Sequence, residues 1–150
     1  MNSILRALLV FVLLAAAGCA PDTPKVTPAV AALHEQAKEG SAIAQSNLGA
    51  MYANGDGVPK DYAEAIKWFR MAADLGNANA QNERGLMYGN GTGVPKDLVQ
   101  AHAWLNIAGA NGHEEAKKSL EIAENQMTSE QKAEAMKLAR ELFAKLPPKR

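Results

Sequence analysis

The chain has 150 residues, enough for one modest domain, with 16 Lys and Arg set against 16 Asp and Glu. That balance lacks the basic stripe that nucleic-acid binding requires. A single cysteine excludes a disulfide framework within the chain.

The N-terminus opens Met1-Asn2-Ser3-Ile4-Leu5-Arg6, with one positive charge, and continues into the apolar run Ala7 to Ala17. A short basic start, about a dozen apolar residues and a small-residue stretch are the marks of a secretory signal. The run falls short of the roughly 20 apolar residues that span a bilayer as a helix. Leu14-Ala15-Ala16-Ala17-Gly18-Cys19 resembles the lipobox of bacterial lipoproteins. That resemblance implies cleavage before Cys19 and lipidation of its thiol and new amino group. Ala16 stands where Leu is commoner, so cleavage after Ala20 remains open. Ala20 in place of Asp after the cysteine favours, by the same resemblance, the outer membrane. The expectation is a signal peptide over 1–18, a proline-bearing tether over 19–27, and a periplasmic protein held at the membrane through Cys19. Removal of 1–18 takes away Arg6 and no acid, leaving the mature chain one charge on the acidic side.

Internal repetition dominates the rest of the chain. Residues 44–61 and 80–97 are two copies of one pattern at a constant offset of 36. The offset continues through Ala65/Ala101, Trp68/Trp104, Ala72/Ala108 and Gly76/Gly112 without a gap. Ala44, Leu48, Met51 and Tyr52 recur at helical spacing, predicting a first helix over about Ala42 to Ala53. Gly55 lies where a left-handed residue closes a helix, and Gly57 and Pro59 shape the turn after it. Asp61 with Glu64, and Asp97 with Gln100, read as capping boxes opening a second helix. Ala65, Trp68, Phe69, Ala72 and Ala73 line its apolar side, and Gly76 ends it. Gly49 and Gly85 sit mid-helix, where glycine costs about 1 kcal/mol against Ala, so their recurrence predicts close approach of a neighbouring helix.

The pattern carried by Leu48, Gly49, Tyr52, Gly55, Gly57, Asp61 and Trp68, and again by Gly85, Tyr88, Gly91, Gly93, Asp97 and Trp104, resembles the Sel1-like repeat, a relative of the tetratricopeptide repeat. The resemblance implies an all-α fold, a short right-handed α-solenoid of antiparallel helix pairs, working as a protein-binding module. Repeats fall at about 44–79 and 80–115 within a domain of 28–146. A half-repeat at 29–40 precedes them, because Gly40 stands 36 before Gly76. Residues 114–146 read as a degenerate third unit that caps the stack, with a further capping box at Thr128 and Gln131 and an apolar stripe of Ala135, Leu138, Ala139, Leu142 and Leu146. Arg84 replaces the family's apolar residue, and Gly109 replaces the second Ala of the Ala72-Ala73 pair; both departures are expected to weaken the second copy locally without breaking the pattern.

Candidate chemistry is sparse. His34, His102 and His113 have no partner at metal-ligand spacing. Asn54 to Gly57 and Asn90 to Gly93 follow helices rather than strands and lack the lysine-serine pair of a phosphate loop. Ser129-Glu130-Gln131-Lys132 fits the S-x-x-K of penicillin-binding enzymes, but the accompanying S-D-N-like and K-T-G-like elements do not occur. No catalytic residue, metal site or cofactor is expected.

Carrying over the binding positions of the tetratricopeptide repeat gives a concave protein-binding face of Ile43, Ser46, Ala50 and Asn54 in the first copy. Asn79, Asn82, Leu86 and Asn90 belong to it in the second, and Lys118 and Ile122 in the third unit. The expected function is an envelope-anchored, non-enzymatic adaptor whose partner is another protein. Two alternatives stand beside it, a cell-wall-associated enzyme or peptidoglycan- or β-lactam-binding protein and an antitoxin-like immunity protein for a secreted effector.

Overall fold

The structure is a computed structural model and describes residues 27–148. Cys19, the signal segment and most of the tether lie outside the described residues. Seven helices and no strand occur among the described residues: α1 (Pro28–Lys38), α2 (Ala42–Asn54), α3 (Tyr62–Asp74), α4 (Ala78–Asn90), α5 (Leu98–Ala110), α6 (Glu114–Glu124) and α7 (Ser129–Phe143). None is long and apolar enough to cross a membrane.

The ends of the helices repeat with the sequence. Ser41, Asn77 and His113, each one repeat apart, accept the N–H of Ala44, Ala80 and Ala116 and so cap α2, α4 and α6. α2 and α4 end in left-handed glycines, Gly55 (φ 83°) and Gly91 (φ 71°). Asp61 and Asp97 cap α3 and α5 through their carboxylates. The reciprocal half of the expected capping boxes is absent there, because the Asp61 and Asp97 N–H groups already donate to Tyr52 O and Tyr88 O at 2.8 and 2.9 Å. The Glu64 side chain turns to Lys67 instead. Thr128 and Gln131 do form the complete box.

α2 with α3, and α4 with α5, are antiparallel pairs stacked in order, with α1 covering the first pair. Close approach inside each pair requires the mid-helix glycines. A Cβ on Gly49 would stand 2.6 Å from the Phe69 ring, and one on Gly85 would stand 2.7 Å from Leu105. Successive units are stitched by buried amides, with Gln45 Nε2 donating to Ala37 O (2.9 Å) and Gln81 Nε2 to Ala73 O (3.1 Å).

Leu48 is fully buried in a cluster with Val30, Ala37 and Trp68. At the matching place in the second copy, the Arg84 guanidinium lies 3.9 Å from the Trp104 ring centroid and Nη1 donates to Asp74 Oδ1 at 3.0 Å. Burial lowers the Arg84 pKa, and Asp74 opposes that shift. The copy expected to be weakened at Arg84 therefore holds a stacked cation in its place.

The end of the chain departs from the pairing. α6 packs on α5, and α7 also packs on α5 rather than against α6. Ala139 joins the main core, with Leu138, Leu142 and Leu146 packed on it. The third unit is thus a first helix followed by a separate strap, because no Gly-x-Gly-Val-Pro turn folds α7 back on α6.

Candidate protein-binding surface

α2, α4 and α6 are the first helices of successive units, and α4 touches both of the others. Two clefts flank α4. The first, about 190 Å³, is lined by Ala53, Tyr62, Phe69, Glu83, Leu86, Met87, Asn90 and Thr92. The second, about 180 Å³, includes Leu86, Gly89, Asn90, Leu98, Leu105, Ser119, Ile122, Ala123 and Gln126. They are one site built twice. Ala53 corresponds to Gly89, Tyr62 to Leu98, Phe69 to Leu105, Glu83 to Ser119, Leu86 to Ile122 and Asn90 to Gln126, all at an offset of 36. Leu86 and Asn90 belong to both and form the ridge between them. Both clefts are mostly apolar with an amide at the rim, a surface suited to side chains of a polypeptide.

The expected face is only partly assembled. Leu86, Asn90 and Ile122 come together at the second cleft. Leu86 is half-buried against Leu105, Ala108, Ala116 and Ala123. Ile122 and Ile43 are 62% and 70% exposed, and Ala50, Asn54, Asn79 and Lys118 are also exposed. Ile43, Ala50, Asn54, Asn79 and Lys118 line neither cleft. Ser46 and Asn82 are corrected by the structure. They are 8% and 4% exposed and offer little to a partner. These two positions match Lys118, which is exposed on α6, the last first helix. The position is covered wherever another unit follows. Asn82 Nδ2 donates to Glu83 Oε1 at 3.2 Å, and its buried Oδ1 has no hydrogen-bond partner.

Carry-over from the related repeat missed Tyr62 and Leu98, because they belong to the second helices. Their signal was present in the sequence, since both are large residues standing directly after the capping Asp in each copy. Glu83 and Gln126 were missed for a different reason, being polar residues without a periodic apolar mark.

The remaining candidates are placed apart. The Tyr52 hydroxyl and His34 Nε2 are 3.3 Å apart, and the His34 ring meets Trp68 edge-on. His102 is buried, with Nε2 2.9 Å from Glu124 Oε1. It fills the slot held by Val30 and Ile66 in the earlier helices, which are equally buried. Ser129 is exposed in the first turn of α7 and lies outside both clefts. No cluster of three or more His, Cys, Asp or Glu among the described residues is placed to hold a metal.

Residues 42–77 and 78–113 match the family model described as the Sel1 repeat. The chain carries two Sel1 repeats. Its fold is also that of solved proteins of this kind. A protective antigen present in uropathogenic Escherichia coli strains and displaying an SLR fold is 35% identical, with a TM-score of 0.73 over 75% of this chain. A Sel1 repeat protein from Oxalobacter formigenes is 34% identical, with a TM-score of 0.57 over 59% of this chain. The chain spans only 24% of the first protein and 36% of the second. No curated protein matches it. Sel1 repeats are generally protein-interaction modules, and the doubled cleft lies on the face where α2, α4 and α6 meet.

Proposed function

We propose that this protein is a non-enzymatic adaptor of the bacterial envelope, held at the outer membrane by a lipid on Cys19, that binds a segment of another protein across α4. The observation carrying this reading is the doubled cleft with its shared ridge of Leu86 and Asn90. A two-repeat array has little surface, and this cleft is the part of it that recurs with the repeat, with Tyr62 and Ile122 exposed at its two halves. The E. coli relative is a protective antigen, a property that fits presentation outside the cytoplasm. The anchoring half of the reading rests on the lipobox-like sequence ending at Cys19.

The binding half is tested by affinity capture from envelope extract with the full chain as bait, read against Leu86→Glu/Ile122→Glu. A partner held by the wild type and lost by the variant, with helicity unchanged by circular dichroism, is the expected outcome. Equal recovery on both baits would remove this face from consideration. The anchor is tested by metabolic labelling with an alkynyl fatty acid, where Cys19→Ala should lose both the label and membrane fractionation. Retention of both by the variant would contradict lipidation at Cys19.

A further inference from the structure

Two equivalent clefts impose a spacing on whatever fills them, and their rims impose a chemistry. We propose that the ligand is an extended, polyproline-II-like segment of a partner protein. It carries apolar side chains three residues apart, one for each cleft, and an acidic residue beside the one entering the second cleft. This rests on the adaptor reading and specifies what that adaptor reads.

Spacing comes first. The clefts repeat with the first helices, which touch one another, and packed helices lie about 8–10 Å apart. A polyproline-II chain brings side chains back to one face every three residues, about 9 Å along its axis. A β-strand returns to one face at about 7 or 13 Å, neither of which matches. An α-helix can match with residues seven apart, at about 10 Å.

The rim decides between those two. Asn90 lines both clefts and Gln126 lines the second; they occupy one repeat position in successive units, and both are exposed. Each amide both donates and accepts. A polyproline-II backbone has no internal hydrogen bonds and leaves its N–H and C=O groups free to meet such a row. A helix has already used them.

Charge complementarity supplies the acid. Lys60 and Lys96 also recur at an offset of 36, and neither pairs with a carboxylate among the described residues. Lys60 Nζ lies 4.8 Å from the centroid of the Tyr62 ring, which lines the first cleft, and Lys96 Nζ reaches Gln126 Oε1 at 3.4 Å beside the second. Glu83 lines the first cleft and disfavours a second acid there. Its counterpart in the second cleft is the neutral Ser119, so an acid entering there meets Lys96 and no carboxylate of the cleft lining.

The test uses the full chain and synthetic peptides, followed by fluorescence polarisation and by chemical shifts of the Leu86 and Leu105 methyls. The lead probe is a capped Asp-Leu-Pro-Pro-Leu-Asp peptide. Comparators place the two leucines two or four residues apart, set them seven apart on a stapled helix, or exchange Asp for Lys. The lead peptide should bind about tenfold or more tightly than every comparator. Two cleft-filling variants, Ala53→Leu and Gly89→Leu, should each weaken it about tenfold, the scale of one lost leucine burial. A Cβ at Gly89 meets only Ala101 at 3.6 Å, so that variant keeps the backbone in place. Lys96→Glu should reverse the preference between Asp and Lys flanks. Equal affinity across spacings, a preference for the helical peptide, or indifference to Gly89→Leu would overturn the inference. If envelope capture remains sensitive to Gly89→Leu while the peptides show no spacing preference, this inference falls and the adaptor reading stands. If capture is also indifferent, both fall.

Discussion

The two repeats share a backbone and differ in what fills it. In the first, Leu48 is fully buried beside Trp68 under α1. In the second, the same position is Arg84, stacked on Trp104 and tied to Asp74. The unit before each copy accounts for the difference. Asp74 ends α3 and faces Arg84, whereas the residue one repeat earlier, ending α1, is Lys38. The fold specifies a slot against a tryptophan face. An aliphatic side chain fills it anywhere, and a cation fills it only where the preceding helix supplies an acid.

The largest effect should come from forcing the second solution onto the first copy. Leu48→Arg would bury a guanidinium beside Trp68 with Lys38, not an acid, at the matching helix end. An uncompensated buried charge costs about 3–5 kcal/mol. Urea denaturation followed by circular dichroism should show a loss of that order, and a loss below about 1 kcal/mol would mean the slot is not closed as described.

Such a slot was visible in the sequence only as an exception. The offset of 36 predicted the paired helices, their glycine ends and the close approach at Gly49 and Gly85, because those features follow from local geometry repeated with the chain. Arg84 read as a departure that weakens its copy, since the neutralising Asp74 is ten residues away and their meeting depends on how units stack. The same limit explains Ser46 and Asn82. Helical phase puts them on the inner face, but stacking of the next unit covers them. It also explains α7, whose apolar stripe at Ala135, Leu138, Ala139 and Leu142 was legible while its destination was not. Without the turn that ties Asp61 N to Tyr52 O, nothing local directs α7 back to α6, and Ala139 joins the core cluster that holds Trp104 and Ile107 of α5.

Second in size is the pair of glycine substitutions. Gly49→Ala drives a methyl to 2.6 Å from the Phe69 ring, a rigid plate, while Gly85→Ala meets Leu105 and the Ala101 carbonyl. Overpacking costs about 1–3 kcal/mol, partly offset by the better helix propensity of Ala. The first copy should lose more than the second, because Leu105 can change rotamer and a phenyl ring cannot shrink. Equal losses in thermal melts would show that both partners are held with the same rigidity.

Third, Thr128→Ala removes the one complete capping box among the described residues, and with it the start of the strap formed by α7. A lost cap costs about 1 kcal/mol. Hydrogen exchange should quicken in the first turns of α7 and stay unchanged in α2 to α5. If α2 to α5 quicken equally, α7 is part of the same cooperative unit as the repeats and not an appended strap.

The smallest change is expected from the reverse exchange, Arg84→Leu, and its sign is the informative part. The substitution removes a desolvated cation whose Nε is buried without a hydrogen-bond partner, and it restores the leucine-on-tryptophan contact of the first copy. Asp74 is 59% exposed and returns to water at little cost. Replacing a buried ionic group by an apolar one of similar size is often neutral or stabilising, so the variant should lie within about 1 kcal/mol of the wild type, on the stable side. Arg84→Ala should fall clearly below both, since it leaves the face of Trp104 bare. If Arg84→Leu instead loses about 2 kcal/mol, the guanidinium stack and its acid are worth more than apolar packing at this slot. The two copies would then be held together by different forces, not by one slot filled in two ways.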